Sequence, residues 1–238
     1  MGMITLAIGD TVITFLWVFL VSCLGAGTSV IASYLDVDGT WKLVITIVLL
    51  VALVFVFSSL GDAMGGASWN PTALTAGFAL GSGNDSLISM AIRFPAQAAG
   101  AVGGALAIME LMPEPYKHML GGPSVKVELH TAAIAEGVLT FVISFLVLLI
   151  IIKGPKNSLL KSLLISLTTI TLVLSGSSYT GPSMNPANAF GWAYVNNRHN
   201  TWEQFYVYWI APFVGSILAA WFFRLFHTPG SSKKEKKA

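Results

Sequence analysis

The sequence predicts an all-α membrane protein: six spanning helices and two half-length helices, arranged as an inverted repeat. Three observations predict it. Of the 238 residues, 55% are apolar and only 10% charged, and the mean hydropathy is +0.74; a soluble domain carries about 25% charge. Six apolar runs approach or exceed the ~20 residues needed to cross a hydrocarbon core of about 30 Å. A short pattern also occurs twice, 115 residues apart, as Ser68-Trp69-Asn70-Pro71-Thr72 and Ser183-Met184-Asn185-Pro186-Ala187.

The first span is expected over 6–31. It begins almost at Met1, carries Asp10 and has no basic leader, so it reads as a retained span rather than a cleaved signal. Asp36-Val37-Asp38-Gly39 links it to a second span over 41–60. The first Asn-Pro pair follows. Asn is a favoured helix N-cap because its side-chain oxygen accepts an orphan backbone N–H, and Pro is favoured at the first helical position. Residues 72–80 therefore read as a helix, stopped by Gly81-Ser82-Gly83-Asn84. About ten residues rise about 15 Å, half of the membrane. The third span covers 87–109, and 113–128 is a loop rich in Pro, Gly, Lys and Glu. The fourth span, 131–152, leads through Lys153, Lys156 and Lys161 into a fifth over 159–174. The second half-helix, 187–195, stops at Asn196-Asn197-Arg198. The sixth span is 205–226, and a lysine-rich tail closes the chain. One membrane domain over 1–228 is expected, with repeat halves of about 1–112 and 128–228 and a tail at 229–238.

The halves share more than Asn-Pro. Asp10-Thr11-Val12-Ile13-Thr14-Phe15 in the first span matches Glu136-Gly137-Val138-Leu139-Thr140-Phe141 in the fourth. Gln97-Ala98-Ala99-Gly100 in the third matches Pro212-Phe213-Val214-Gly215 in the sixth. Each half holds an odd number of spans, so the second must enter from the opposite face, which inverts the repeat. The two half-helices would then meet N-terminus to N-terminus near the midplane, where irregular backbone is tolerated only if buried or lining a wet cavity. Lysines concentrate between spans four and five and in the tail, which places both termini in the cytosol. The sequon Asn84-Asp85-Ser86 would face the cytosol too and stay unused.

Each helix N-terminus presents about +0.5 of an elementary charge. An isolated cation, a hydrated proton included, is repelled where two such ends converge, whereas water turns its oxygen toward both. Asn suits that point better than Asp, because its oxygen caps the helix while its NH₂ offers donors. The arrangement predicts a narrow conduit for small neutral polar molecules. No nucleophile–base pair or nucleotide loop is evident, and His118, His130, His199 and His227 lack metal spacing. Cys23 is alone, which excludes an intrachain disulfide and reads as packing. No enzyme, cofactor, metal or nucleic-acid partner is expected.

Two Asn-Pro motifs in register with an internal repeat resemble the aquaporins of the major intrinsic protein superfamily, over essentially the whole membrane part. Within it the chain is most similar to the plant small basic intrinsic proteins. The residues that carry this are Asn70-Pro71-Thr72 in place of Asn-Pro-Ala, Phe94-Pro95-Ala96-Gln97-Ala98-Ala99-Gly100-Ala101, a short N-terminus and the lysine-rich tail. The resemblance implies an aquaporin-like bundle in the lipid bilayer and a homotetramer with one pore per subunit. It implies passage of water, by the half-helix selectivity already attributed to aquaporin-type pores. The pore motifs carried over are Asn70, Pro71, Thr72, Asn185, Pro186 and Ala187. The resemblance also implies a selectivity filter on the non-cytosolic side, at Leu50, Val173, Pro182 and Asn188. Orthodox water channels have Arg where Asn188 stands and often His where Val173 stands, so this filter lacks its fixed cation and most of its donors. This less polar filter is read as admitting water, hydrogen peroxide or another small neutral solute.

Asp10 and Glu136 lie inside spans, where charge is costly; their symmetric placement favours carboxylates that accept backbone N–H groups of the re-entrant loops over a proton relay. Trp192, Tyr206, Tyr208 and Trp209 read as interface anchors or packing. Lys234 and Lys236 stand five and three residues from the C-terminus, the spacing of a dilysine retrieval signal. Together with the resemblance this places the chain as a multi-pass protein of the endoplasmic reticulum membrane, the plasma or vacuolar membrane being the alternatives. Two rival functions stay open: a non-conducting structural or partner protein of that membrane, and a secondary transporter, since inverted repeats and broken helices build those as well.

Overall fold

Inside a bilayer an open apolar segment can satisfy its backbone only as a helix, and helices are what the apolar runs form. The computed structural model describes residues 2–82 and 85–226. The first span is two helices, α1 (Met3–Ser22) and α2 (Leu24–Tyr34). They part at Cys23, whose N–H bonds Leu20 O at 3.1 Å before Gly27 N returns to Cys23 O at 2.8 Å. The second span is α3 (Thr40–Ala63), and the first half-helix is α4 (Pro71–Leu80). It ends on Gly81 at φ +75°, a left-handed cap that glycine adopts without a Cβ penalty. Then come α5 (Leu87–Leu111) and, inside the expected loop, one turn of helix, α6 (Glu114–Lys117). The second half follows with α7 (Leu129–Ile152), α8 (Ser158–Gly176) and the half-helix α9 (Pro186–Val195). The last span starts as α10 (Trp202–Phe205), widens through a π-turn at Tyr206–Ile210 and continues as α11 (Ala211–Phe226). Among the described residues, six helical segments are long and apolar enough to cross a membrane.

The repeat is visible in the packing. α1 crosses α5, and α7 crosses α11. Both crossings need glycine: a Cβ on Gly100 would run into Thr11 O, and one on Gly215 into Gly137 O. Small residues permit such backbone-to-backbone approach between membrane helices. The half-helices are exchanged between repeats. From the first half, α4 lies against α11, with Ala76 in a cluster with Leu148, Ala220 and Phe223. From the second half, α9 lies against α5, with Ala187 beside Val18, Ala101 and Ala105. Each half-helix thus forms part of the other repeat's core. The outward faces carry exposed apolar side chains such as Ile8, Val48, Ile134 and Leu218. Trp192 and Tyr208 are buried packing residues rather than interface anchors.

Candidate functional site

The two loops before α4 and α9 build one centre. At α4, Asn70 Oδ1 accepts the N–H of Thr72 at 2.9 Å and its hydroxyl at 2.8 Å. At α9, Asn185 Oδ1 accepts the N–H of Ala187 at 3.1 Å and of Asn188 at 3.3 Å. Both asparagines are N-caps, and Pro71 and Pro186 open the helices. The amide nitrogens then cross the seam. Asn70 Nδ2 donates to Met184 O at 3.1 Å, and Asn185 Nδ2 donates to Trp69 O at 2.9 Å. Each NH₂ spends one N–H on the opposite repeat and keeps a second. The serine of each motif returns to its own loop, Ser68 Oγ donating to Asn70 O and Ser183 Oγ to Asn185 O. Trp69 is held from the side by ring contacts with Trp17 and Phe57.

The two buried carboxylates hold these loops, each differently. Glu136 accepts Ser183 N at 2.9 Å, Met184 N at 3.1 Å and the Thr180 hydroxyl at 2.9 Å. Asp10 accepts Ser68 N at 2.8 Å and Gln97 Nε2 at 3.1 Å. Asp10 also holds a bidentate pair with Arg93, at 2.7 Å through Nε and 2.8 Å through an Nη nitrogen. The same guanidinium donates to Gly66 O and to Asp85, both at 2.8 Å. The sequence reading missed Arg93 and Asp85. In the second repeat the position 115 residues beyond Arg93 is Tyr208, whose hydroxyl donates to Thr180 O at 3.0 Å. The first loop is therefore held by an ion pair and the second by neutral donors.

Of the filter positions, Leu50 lies on the buried stripe of α3 with Val54, Phe57 and Gly61. Pro182 is buried against the end of α8, where a Cβ on Gly176 would strike its ring. Asn188 is half-buried, and its Nδ2 donates to Ser183 Oγ at 3.3 Å. Val173 is 39% exposed, although it stands two turns beyond Ser166 on the face that carries the buried Ser162 and Ser166. Elsewhere His130 Nδ1 lies 3.1 Å from Tyr206 Oη, and His199 stands against Phe190 and Tyr194. Among the described residues no group of three His, Cys, Asp or Glu side chains could hold a metal. Asn84 of the sequon, His227, Lys234 and Lys236 lie outside the described residues.

The major intrinsic protein family matches residues 3–223. The chain belongs to the major intrinsic protein family. This major intrinsic protein is 64% identical over 234 residues to Aquaporin SIP1-2 of Zea mays, with 98% of the chain and 96% of the relative covered. It is 62% identical over 238 residues to Aquaporin SIP1-1 of Oryza sativa subsp. japonica (98% and 97% covered). With Aquaporin SIP1-1 of Arabidopsis thaliana it shares 52% over 240 residues (100% and 99% covered). These relatives are small basic intrinsic proteins, the branch that the sequence resembles. The X-ray structure of the aquaglyceroporin from Plasmodium falciparum superposes with a TM-score of 0.69 at 19% identity, over 93% of this chain and 96% of that one. That likeness carries the fold alone, and the fold is the aquaporin one. This major intrinsic protein is thus a multi-pass membrane channel.

Proposed function

We propose that this channel passes water and other small neutral solutes, hydrogen peroxide among them, through a pore centred on the seam between α4 and α9. The observation that carries the reading is the pair of opposed helix N-termini, laced by Asn70 Nδ2 to Met184 O and Asn185 Nδ2 to Trp69 O. Two positive helix ends disfavour a cation at that point, and the remaining amide N–H of each asparagine can donate to a passing oxygen. The filter is formed by Leu50, Val173, Pro182 and Asn188. Exposure of Val173 on the inward stripe of α8 supports a side chain that borders an open lumen. Asn188 brings no charge, so cation exclusion rests on the helix ends. Asp10 and Glu136 act as supports of the loops and not as a proton relay. The reading extends to a channel domain over 1–228 in two halves, a homotetramer with one pore per subunit, and no enzymatic step. It also extends to the endoplasmic reticulum membrane with both termini in the cytosol and Lys234 and Lys236 as the retrieval signal.

The test is stopped-flow light scattering on proteoliposomes of the purified protein, with Val173→Trp and Asn185→Asp beside the wild type. Water flux above empty liposomes with a low activation energy, lost in Val173→Trp, is the expected result. Asn185→Asp keeps the cap and loses the donor, and should reduce flux. A peroxide-sensitive dye inside the same vesicles tests the second solute. Wild-type flux no greater than empty liposomes, from folded and inserted protein, overturns the water reading. For the compartment, Lys234→Ser with Lys236→Ser in a tagged full chain should release it from the endoplasmic reticulum.

A further inference from the structure

We infer that Thr72 is a positioning residue of the pore, holding the Asn70 amide by a side-chain hydrogen bond; the inference rests on the pore reading above. Both central asparagines have an oxygen that accepts two donors. For Asn185 both donors are backbone N–H groups, Ala187 N and Asn188 N. For Asn70 the structure gives one backbone donor, Thr72 N, and one side-chain donor, the Thr72 hydroxyl. The hydroxyl supplies at α4 what the next backbone N–H supplies at α9.

The direction of this bond follows from its surroundings. Asn70 Nδ2 lies 3.1 Å from Met184 O, so the nitrogen end of the amide faces that carbonyl and the oxygen end faces Thr72. An amide oxygen only accepts, and Thr72 Oγ1 is 2.8 Å from it. Met184 O is the other acceptor in reach of the hydroxyl, at 3.4 Å. Donation there would leave two acceptor oxygens 2.8 Å apart without a proton between them. The hydroxyl therefore donates to Asn70. Thr72 is 3% exposed, so water does not readily replace the bond when it is removed. Together the bonds fix which way the amide faces, and with it the free N–H directed at the pore.

The experiment uses the full chain in proteoliposomes, as wild type, Thr72→Val and Thr72→Ser. It reads water flux per channel and the nitrogen-15 side-chain amide signals of Asn70 and Asn185 in asparagine-labelled protein. Loss of one such bond frees the amide by about fivefold, the equivalent of about 1 kcal/mol. In Thr72→Val the Asn70 amide should exchange its protons about fivefold faster while Asn185 is unchanged, and flux should fall. Thr72→Ser should restore both. If Thr72→Val does not fold, Thr72→Ala, which copies Ala187 of the other repeat, takes its place. An Asn70 amide unchanged in the folded valine or alanine variant overturns the inference, as does a folded serine variant that behaves like valine. Absence of wild-type flux overturns the pore reading alone, because the amide signals still decide the role of Thr72.

Discussion

Replacing Arg93 by Met should be among the most damaging single changes in the protein, and the structure says why. The guanidinium makes four hydrogen bonds, two to Asp10 and one each to Gly66 O and Asp85. The side chains of Arg93 and Asp10 are 2% and 0% exposed. Methionine keeps an unbranched apolar stem and removes the charge, which strands the Asp10 carboxylate with Ser68 N and Gln97 Nε2 as its remaining donors. Breaking a buried pair from one side costs about 3–5 kcal/mol, whereas replacing both partners together is often nearly neutral. Asp85 is 22% exposed and can turn to water, so the deficit concentrates at Asp10. The expected loss for Arg93→Met is therefore about 3–5 kcal/mol, and Arg93→Met with Asp10→Asn should recover at least half of it. Unfolding in lipid–detergent micelles, followed by titration with a denaturing detergent, gives both numbers. A single variant within about 1 kcal/mol of wild type, or a double variant as damaged as the single, would refute the argument that Arg93 exists to neutralise Asp10.

Other perturbations test other joints. Gly215→Val should abolish folded protein, since even a first side-chain carbon meets Gly137 O; recovery of monodisperse protein by size-exclusion chromatography would contradict that geometry. Tyr208→Phe removes the donor to Thr180 O and should lower stability by about 1 kcal/mol, read as a shift in thermal unfolding. Glu128 caps α7 by accepting the N–H groups of His130 and Thr131, and these bonds hold its carboxyl below the usual carboxylate range. A lowered folded pKa gives stability that is full above the ordinary pKa and is lost as pH falls through the lowered one. Wild type and Glu128→Ala should accordingly differ in melting temperature at neutral pH and converge in strong acid; a gap that widens in acid would reverse the sign.

What the sequence made legible was local or repeated. Asn70-Pro71 and Asn185-Pro186 declare helix starts because capping chemistry acts over two or three residues. Gly100 and Gly215 were legible as matched positions of the repeat, while the backbone they pack against, at Thr11 and Gly137, lies in other helices and no spacing rule reaches it. Arg93 escaped notice for the same reason, standing 83 residues from Asp10. Its signal was nonetheless present: an arginine between Ile92 and Phe94, inside an apolar run, requires a partner, and Asp10 was an unpaired carboxylate in another span. The exchange of α4 and α9 between repeats had no such signal, because both helices are short and apolar on nearly every side. The break at Cys23 and the π-turn at Tyr206–Ile210 were equally silent, since their side chains are ordinary helix residues.

The lacing of the two loops bears on how the molecule can move. A protein that carries solute by alternating access rocks one repeat against the other around a fixed site. Here the amide of Asn70 is tied to a carbonyl of the second repeat and the amide of Asn185 to a carbonyl of the first. Each half-helix is also embedded in the opposite repeat's core. A rigid rotation of one half would stretch both ties at once and pull α4 and α9 out of their sockets. The interlocked centre favours a molecule that stays still while its solute moves, and sets its behaviour apart from that of carriers built on the same inverted symmetry.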